Sequence, residues 1–189
     1  NLDFSSFLKV DRKITQAMLR KLKSAGLNEI EIGVETLNPR LLKLMRKGCT
    51  REMIVQQMRW AQEEGIVVAL SFIADFPTET KEESIQDAHD LYAMCDSNVD
   101  ISVLPYGLIK GTYTAKHPEE FGLEIVEDVN DSVSLGHEQG VLLAMPYIDK
   151  TGMSKQEKLK VFDLHRDYSK RTRERLLREK LLVFDPDSW

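Results

Sequence analysis

The chain has 189 residues, 42% hydrophobic and 30% charged, and its 26 Lys and Arg against 31 Asp and Glu give a net charge of −5. This is the make-up of a soluble globular protein with one sizeable core, without the basic excess that a nucleic-acid binder carries. No run of about 18 apolar residues offers a membrane span, and the opening Asn-Leu-Asp-Phe has none of the basic and apolar regions of a secretion signal. The expected setting is cytoplasmic, with neither membrane nor nucleic acid as partner. Cys49 and Cys95, far apart within helical patterns, read as reduced thiols. A first residue other than Met predicts a segment of a longer chain.

Residues 1–12 hold a weakly alternating stretch, "FSSFLKV", that can supply a first strand. "ITQAMLRKLKSA" (14–25) sets Ile14, Met18, Leu19 and Leu22 on one helical face, and Gly26 stops the helix. "NEIEIGV" alternates acids with isoleucines and then turns apolar, as a strand entering a core does. Asn38-Pro39 predicts a helix start, with Leu41, Leu42 and Met45 as its buried stripe and Gly48 as its end. A second helix runs from a Thr50 cap to about Glu64, with Gly65 as its stop.

"IVVALSFIADF" is a nearly continuous apolar run between Gly65 and Pro77, which suits a parallel strand covered on both faces. Thr80 with Glu83 forms a capping box for a helix through Tyr92 and Met94, and "VDISVLPY" is the next strand. Strand starts spaced roughly 35 residues apart fit successive βα units. From residue 107 to about 150 turn formers dominate without a clear period. Ser154 and Glu157 then cap a long charged helix over 155–181, whose "KRTRERLLREK" is broken by glutamates and reads as a solvated face. The fold class is therefore α/β: a partial TIM-like (β/α) barrel with parallel strands over 1–115, followed by an irregular and helical C-terminal extension over 116–189.

In parallel α/β folds ligands sit outside the carboxyl ends of strands. Three such ends are Gly33-Val34-Glu35-Thr36, Ala74-Asp75-Phe76-Pro77 and Leu104-Pro105-Tyr106-Gly107, and Lys47 adds a cation. An acid and a cation at one rim suit a zwitterionic or polyhydroxylated ligand. Glu35 also fits the simpler role of a dipole partner for the helix that follows. His89, His117, His137 and His165 show no metal-ligand spacing and read as surface or capping residues, and Cys49 reads as structural.

Together the rims carry a resemblance. "EIGVETLNPRLLKLMRKGCTREMIVQQMRWAQEEGIVVALSFIADFPTET" (31–80) resembles the fourth and fifth strands of radical S-adenosylmethionine enzymes, and "ISVLPYGLIKGT" (101–112) resembles their sixth. The likeness spans roughly residues 12–123, and "HPEEFGL" (117–123) is similar to a stretch of the subgroup with a cobalamin-binding domain. The resemblance implies an incomplete (β/α)6 barrel. A [4Fe–4S] cluster on a C-x-x-x-C-x-x-C loop, fed by a reductant protein, would cleave S-adenosylmethionine to a 5′-deoxyadenosyl radical that attacks a small-molecule or peptide substrate, with cobalamin as a further cofactor.

Residue by residue, the likeness assigns Glu35 and Thr36 to the ribose or methionine part of S-adenosylmethionine, Asn38 to a cap beside them and Lys47 to its carboxylate. The backbone of Ile73, Ala74, Asp75, Phe76 and Pro77 would lie along the adenine. Two features depart from the family pattern. The three-cysteine loop is absent, and Asp75 and Thr78 stand where the family's "GFPGET" has glycine. The leading reading is a fragment of such an enzyme, inert alone and active in its parent. A non-catalytic module used in binding or assembly is the alternative, and an unrelated barrel enzyme with Glu35 and Asp75 as acid and base is a third. An open half-barrel should also expose apolar edges and either self-associate or rearrange its packing.

Overall fold

A computed structural model describes residues 2–95, 99–126, 133–137 and 140–178. The chain runs β1 (Phe4–Leu8), α1 (Gln16–Ala25), β2 (Leu27–Glu35), α2 (Pro39–Leu44), α3 (Arg51–Glu63), β3 (Val67–Ala74), α4 (Lys81–Met94) and β4 (Val99–Pro105). The four strands pair in parallel in the order β1-β2-β3-β4. Strand order never reverses, so right-handed crossovers leave the helices on one side, as in a barrel wall rather than a doubly wound sheet.

The caps read from the sequence form. Asn38 and Thr50 each accept from a backbone N–H of the helix they open, and Thr80 and Glu83 close a reciprocal capping box; Thr15, which the sequence reading did not single out, caps α1 in the same way. Under the helices lies a core of Ile30, Ile32, Val34, Val68, Leu70, Phe72, Val99 and Ile101, joined by Leu19, Ile54 and Met58. Two helical expectations need correction. Met18 is 42% exposed, because α1 turns only Leu19 fully inward. α2 ends at Leu44, one turn before Gly48, because Arg46 takes a left-handed φ of 55°.

The other sheet face carries Glu29, Glu31, Gly33 and Glu35 of β2, register-matched to Val67, Ala69 and Ser71 of β3. β3 is thus buried on its helix side only, and Val67, Ala69, Ser71 and Ile73 stay half-buried. The expectation of cover on both faces is not met within the described residues. On this open face the Ser71 hydroxyl donates to Glu31.

Residues after 107 hold more order than the sequence pattern promises. α5 (Tyr113–Lys116) and a 3-10 turn (Pro118–Phe121) lead into β5 (Leu123–Ile125), which pairs antiparallel with β8 (Tyr147–Asp149); β6 (Val133–His137) pairs with β7 (Gly140–Ala144). Leu108, Phe121 and Leu123 join Leu41 and Phe76 in a second core over the carboxyl ends of β2 and β3. α6 (Lys155–Arg178) then packs against β4 and α4. Its first turn is capped as expected, Ser154 Oγ accepting from the Glu157 N–H at 3.3 Å. Residues 179–181 of the expected helix, and the side chain of His137, lie outside the described residues. Among the described residues no helix is long and apolar enough to cross a membrane.

Candidate functional site

The carboxyl ends of β2 and β3 form one rim. Ladder pairing slips between Gly33 and Glu35, and Glu35 takes a φ of 65°. Left-handed backbone costs a residue with a Cβ about 1–2 kcal/mol, so the turn needs anchors. It swings the Glu35 side chain back over the open face of β2, where Lys47 Nζ donates to Oε1 at 3.1 Å. A Cβ on Gly33 would stand 3.0 Å from that oxygen and 3.8 Å from the ammonium. Glycine therefore clears the bed in which the pair lies. Both side chains remain about a quarter exposed, so a ligand can reach them.

Thr36 faces the other way. It is buried, donates its hydroxyl to Asp87 on α4 and accepts the Asn38 N–H at 3.0 Å. Its hydroxyl is committed within the protein rather than turned to the open face. Asn38 caps α2, its Oδ1 accepting the Arg40 N–H at 2.9 Å.

After β3 the turn is built by Asp75, Phe76, Pro77 and Thr78. Asp75 (φ 67°) and Thr78 (φ 71°) both adopt the left-handed conformation that glycine favours, although neither is glycine. Each side chain finds a partner. Asp75 Oδ1 accepts the Tyr106 N–H at 2.7 Å, and Thr78 Oγ1 accepts from Arg40 Nη1 at 3.1 Å. Ile73 and Phe76 pack into the second core, Phe76 edge-on to Tyr106 with centroids 5.0 Å apart. Ala74 and Pro77 are buried, so along this stretch backbone rather than side chain is presented.

The rim sits over buried acids. Burial pushes the Asp75 carboxyl up to about 6. Glu79 is pushed up to about 8, by burial first and then by Asp87, while its Oε2 accepts the Phe76 N–H at 3.1 Å. Asp87 is raised to about 6 by burial, against the pull of Thr36 and the Leu37 N–H. Glu83 moves the opposite way, to about 2, because the Arg40 guanidinium holds it as an anion. Arg40, Glu79 and Asp87 escape a reading of motifs. Arg40 and Asp87 act through the backbone of a neighbouring loop and Glu79 through that of its own, and only the i, i+4 spacing of Glu83 and Asp87 on α4 marks those two as one face.

His89 is exposed, as the sequence reading has it, whereas His165 corrects that reading. His165 is buried against Phe72, 5.4 Å between centroids, and burial lowers it to about 4. His117 joins Glu119 and Glu120 in a grouping whose ligand atoms lie within 4.8 Å of one another. There Glu120 already accepts from the Tyr113 hydroxyl and faces Arg46. Cys49 is half-buried in the α2–α3 loop, while Cys95 is buried in the main core at the end of α4.

Residues 8–91 match a family model described as the Radical SAM superfamily. An uncharacterized methyltransferase of Pyrococcus horikoshii is 33% identical over 73 residues, 39% of this chain and 15% of that protein. The tRNA-2-methylthio-N(6)-dimethylallyladenosine synthase of Chlorobium phaeobacteroides is 29% identical over 128 residues, 62% of this chain and 28% of that one. The fold matches coproporphyrinogen III oxidase of Escherichia coli, a radical SAM enzyme, at TM-score 0.61 and 18% identity, covering 90% of this chain and 32% of that one. It also matches the radical S-adenosylmethionine methyltransferase TsrM of Kitasatospora setae at TM-score 0.63 and 17% identity, covering 88% and 36%. The four parallel strands with their helices thus match part of the (β/α) barrel of these radical SAM enzymes in fold, and the chain spans about a third or less of most of these proteins' length.

Proposed function

We infer that this chain is one part of a radical SAM iron–sulfur enzyme and that the β2–β3 rim is its S-adenosylmethionine site. The observation that carries the reading is the Glu35–Lys47 pair, partly exposed beside Gly33 on the open face of the sheet. Such a pair offers an acceptor for an ammonium or ribose hydroxyl and a donor for a carboxylate, the two ends of an amino-acid ligand. Glu35 and Lys47 would hold the amino-acid part and ribose, with Asn38 shaping the loop beside them. The backbone of residues 73–77 would flank the base. Thr36 supports the site from behind.

S-adenosylmethionine would supply a sulfonium whose one-electron cleavage yields a carbon radical. The chain's own residues orient the ligand and keep its polar groups paired. They do not fit the cluster. Cys49 and Cys95 lie in different parts of the fold, one in a loop and one in the core, so no step through a cluster is assigned to this chain. Cluster ligands would come from outside these 189 residues. A role for cobalamin would draw its support from the cobalamin-bound TsrM, a fold neighbour at TM-score 0.58; of residues 117–123, Phe121 and Leu123 serve the second core.

Calorimetric titration of this chain with S-adenosylmethionine should show saturable binding, weakened roughly tenfold to a hundredfold by Glu35→Gln or Lys47→Ala. Absence of binding, or binding indifferent to both changes, would overturn the site. Anaerobic reconstitution of the polypeptide as encoded should give cluster absorbance and 5′-deoxyadenosine. Neither product, with binding retained, would favour a non-catalytic module.

A further inference from the structure

Two loops must keep their places for the rim to work, and α4 touches both. Asp87 on its inner face accepts the Thr36 hydroxyl and the Leu37 N–H, the latter at 3.1 Å. These are the two residues directly after Glu35. Thr36 in turn accepts the Asn38 N–H, so three successive residues of the β2–α2 loop hang on one buried carboxylate. One turn earlier on α4, Glu83 takes Arg40 through Nε at 2.7 Å and Nη2 at 2.5 Å. The same guanidinium donates to the Thr78 carbonyl at 2.9 Å, which ties the β3 turn to α2.

Left-handed backbone at a glutamate persists only where its surroundings over-determine it. Here the ladder has slipped on one side of Glu35, and the Asp87 bonds close the other. We propose that Asp87 is a positioning residue: through Thr36 and the Leu37 amide it fixes the left-handed turn at Glu35 and so aims the carboxylate at Lys47 and the open face. This rests on the reading of the rim as a ligand site, but its structural half can be tested without ligand.

The measurement pairs two readouts on the folded chain: hydrogen exchange at the Leu37 amide, and the acetylation rate of the Lys47 amine, referenced to exposed Lys43 on α2. Asp87→Ala should speed Leu37 exchange by roughly tenfold or more, since it leaves a buried donor unpaired. It should also raise Lys47 acetylation several-fold as the ion pair loosens. Asp87→Asn keeps an acceptor for the Leu37 N–H and should restore both rates most of the way. Thr36→Val, which leaves Asp87 in place, should raise Lys47 reactivity too, and it serves if the alanine variant does not fold.

Faster exchange at Leu37 with Lys47 unchanged would reduce Asp87 to a brace for the backbone and overturn the proposal. Titration with S-adenosylmethionine separates the two claims. If the wild-type chain binds none, the ligand reading fails while the Lys47 result still decides the role of Asp87. If wild type binds and Asp87→Ala binds equally well, the positioning claim fails and the ligand reading stands.

Discussion

At the scale of single residues, the turn after β3 keeps a shape its side chains oppose. Thr78 is β-branched and sits at a φ of 71°, a genuine outlier for that residue type, held by two hydrogen bonds from Arg40. Asn tolerates left-handed backbone and retains an acceptor for Arg40. Thr78→Asn should therefore stabilise the chain by about 0.5–1 kcal/mol, read as a shift of the denaturant midpoint at unchanged m-value. Glu79 beneath it makes a pH prediction. Its folded-state value of about 8 lies above the ordinary 4.5, so the native chain keeps a proton that the unfolded chain releases. That contribution is whole below 4.5 and is lost as pH rises toward about 8. The slope should approach about 1 kcal/mol per pH unit. Glu79→Gln keeps the acceptor for the Phe76 N–H and should flatten the wild-type decline, measured by urea unfolding across that range. An unchanged slope would place the proton elsewhere.

At the scale of elements, α6 is where sequence and structure part most instructively. Its basic run reads as a solvated face, and some of it is: Arg171 pairs along the helix with Asp167 at 2.7 Å. Arg173, however, reaches the sheet at Asp100, 3.0 Å away, and Arg175 reaches the Cys95 carbonyl at the end of α4 at 2.8 Å, while Val161, His165 and Thr172 are buried. Long charged side chains can serve either surface, and composition does not say which. Burial lowers His165 to about 4 from an ordinary 6.5, so the unfolded chain binds a proton that the native chain refuses. Stability from this group is full above 6.5 and lost as pH falls toward about 4. His165→Leu should gain on wild type across that window, in paired unfolding curves; a constant difference would refute the assignment.

The main helices and parallel strands were legible because period, caps and stop glycines agree along each segment. β5 and β8 were not. Three-residue strands paired across more than twenty residues leave no local period. In the candidate site, Glu35, Asn38 and Lys47 were legible by place. The inward turn of Thr36 was hidden, because it depends on Asp87, 51 residues away.

At the scale of the whole molecule, the sheet is finished on one side and, among the described residues, open on the other. Helices cover Ile30, Ile32, Val68 and Leu70, whereas the opposite face mixes Glu29 and Glu31 with half-buried Val67, Ala69 and Ile73. β1 lies at the end of the strand order, with Phe7 82% exposed and Leu2 76% exposed beside it. An edge strand with unpaired N–H and C=O groups next to exposed aromatic surface is a template for another strand. No lysine or proline blunts β1 itself, whose sequence is Phe-Ser-Ser-Phe-Leu. The chain on its own should therefore self-associate through this edge, with a weight-average mass in sedimentation equilibrium that rises with concentration. Phe7→Lys places a charge on the strand and removes its most exposed ring without touching the main core, so it should return the chain toward monomer at the same concentrations. A wild-type chain that stays monomeric across the range would show that β1 is protected. Association undiminished by Phe7→Lys would move the contact to the open face.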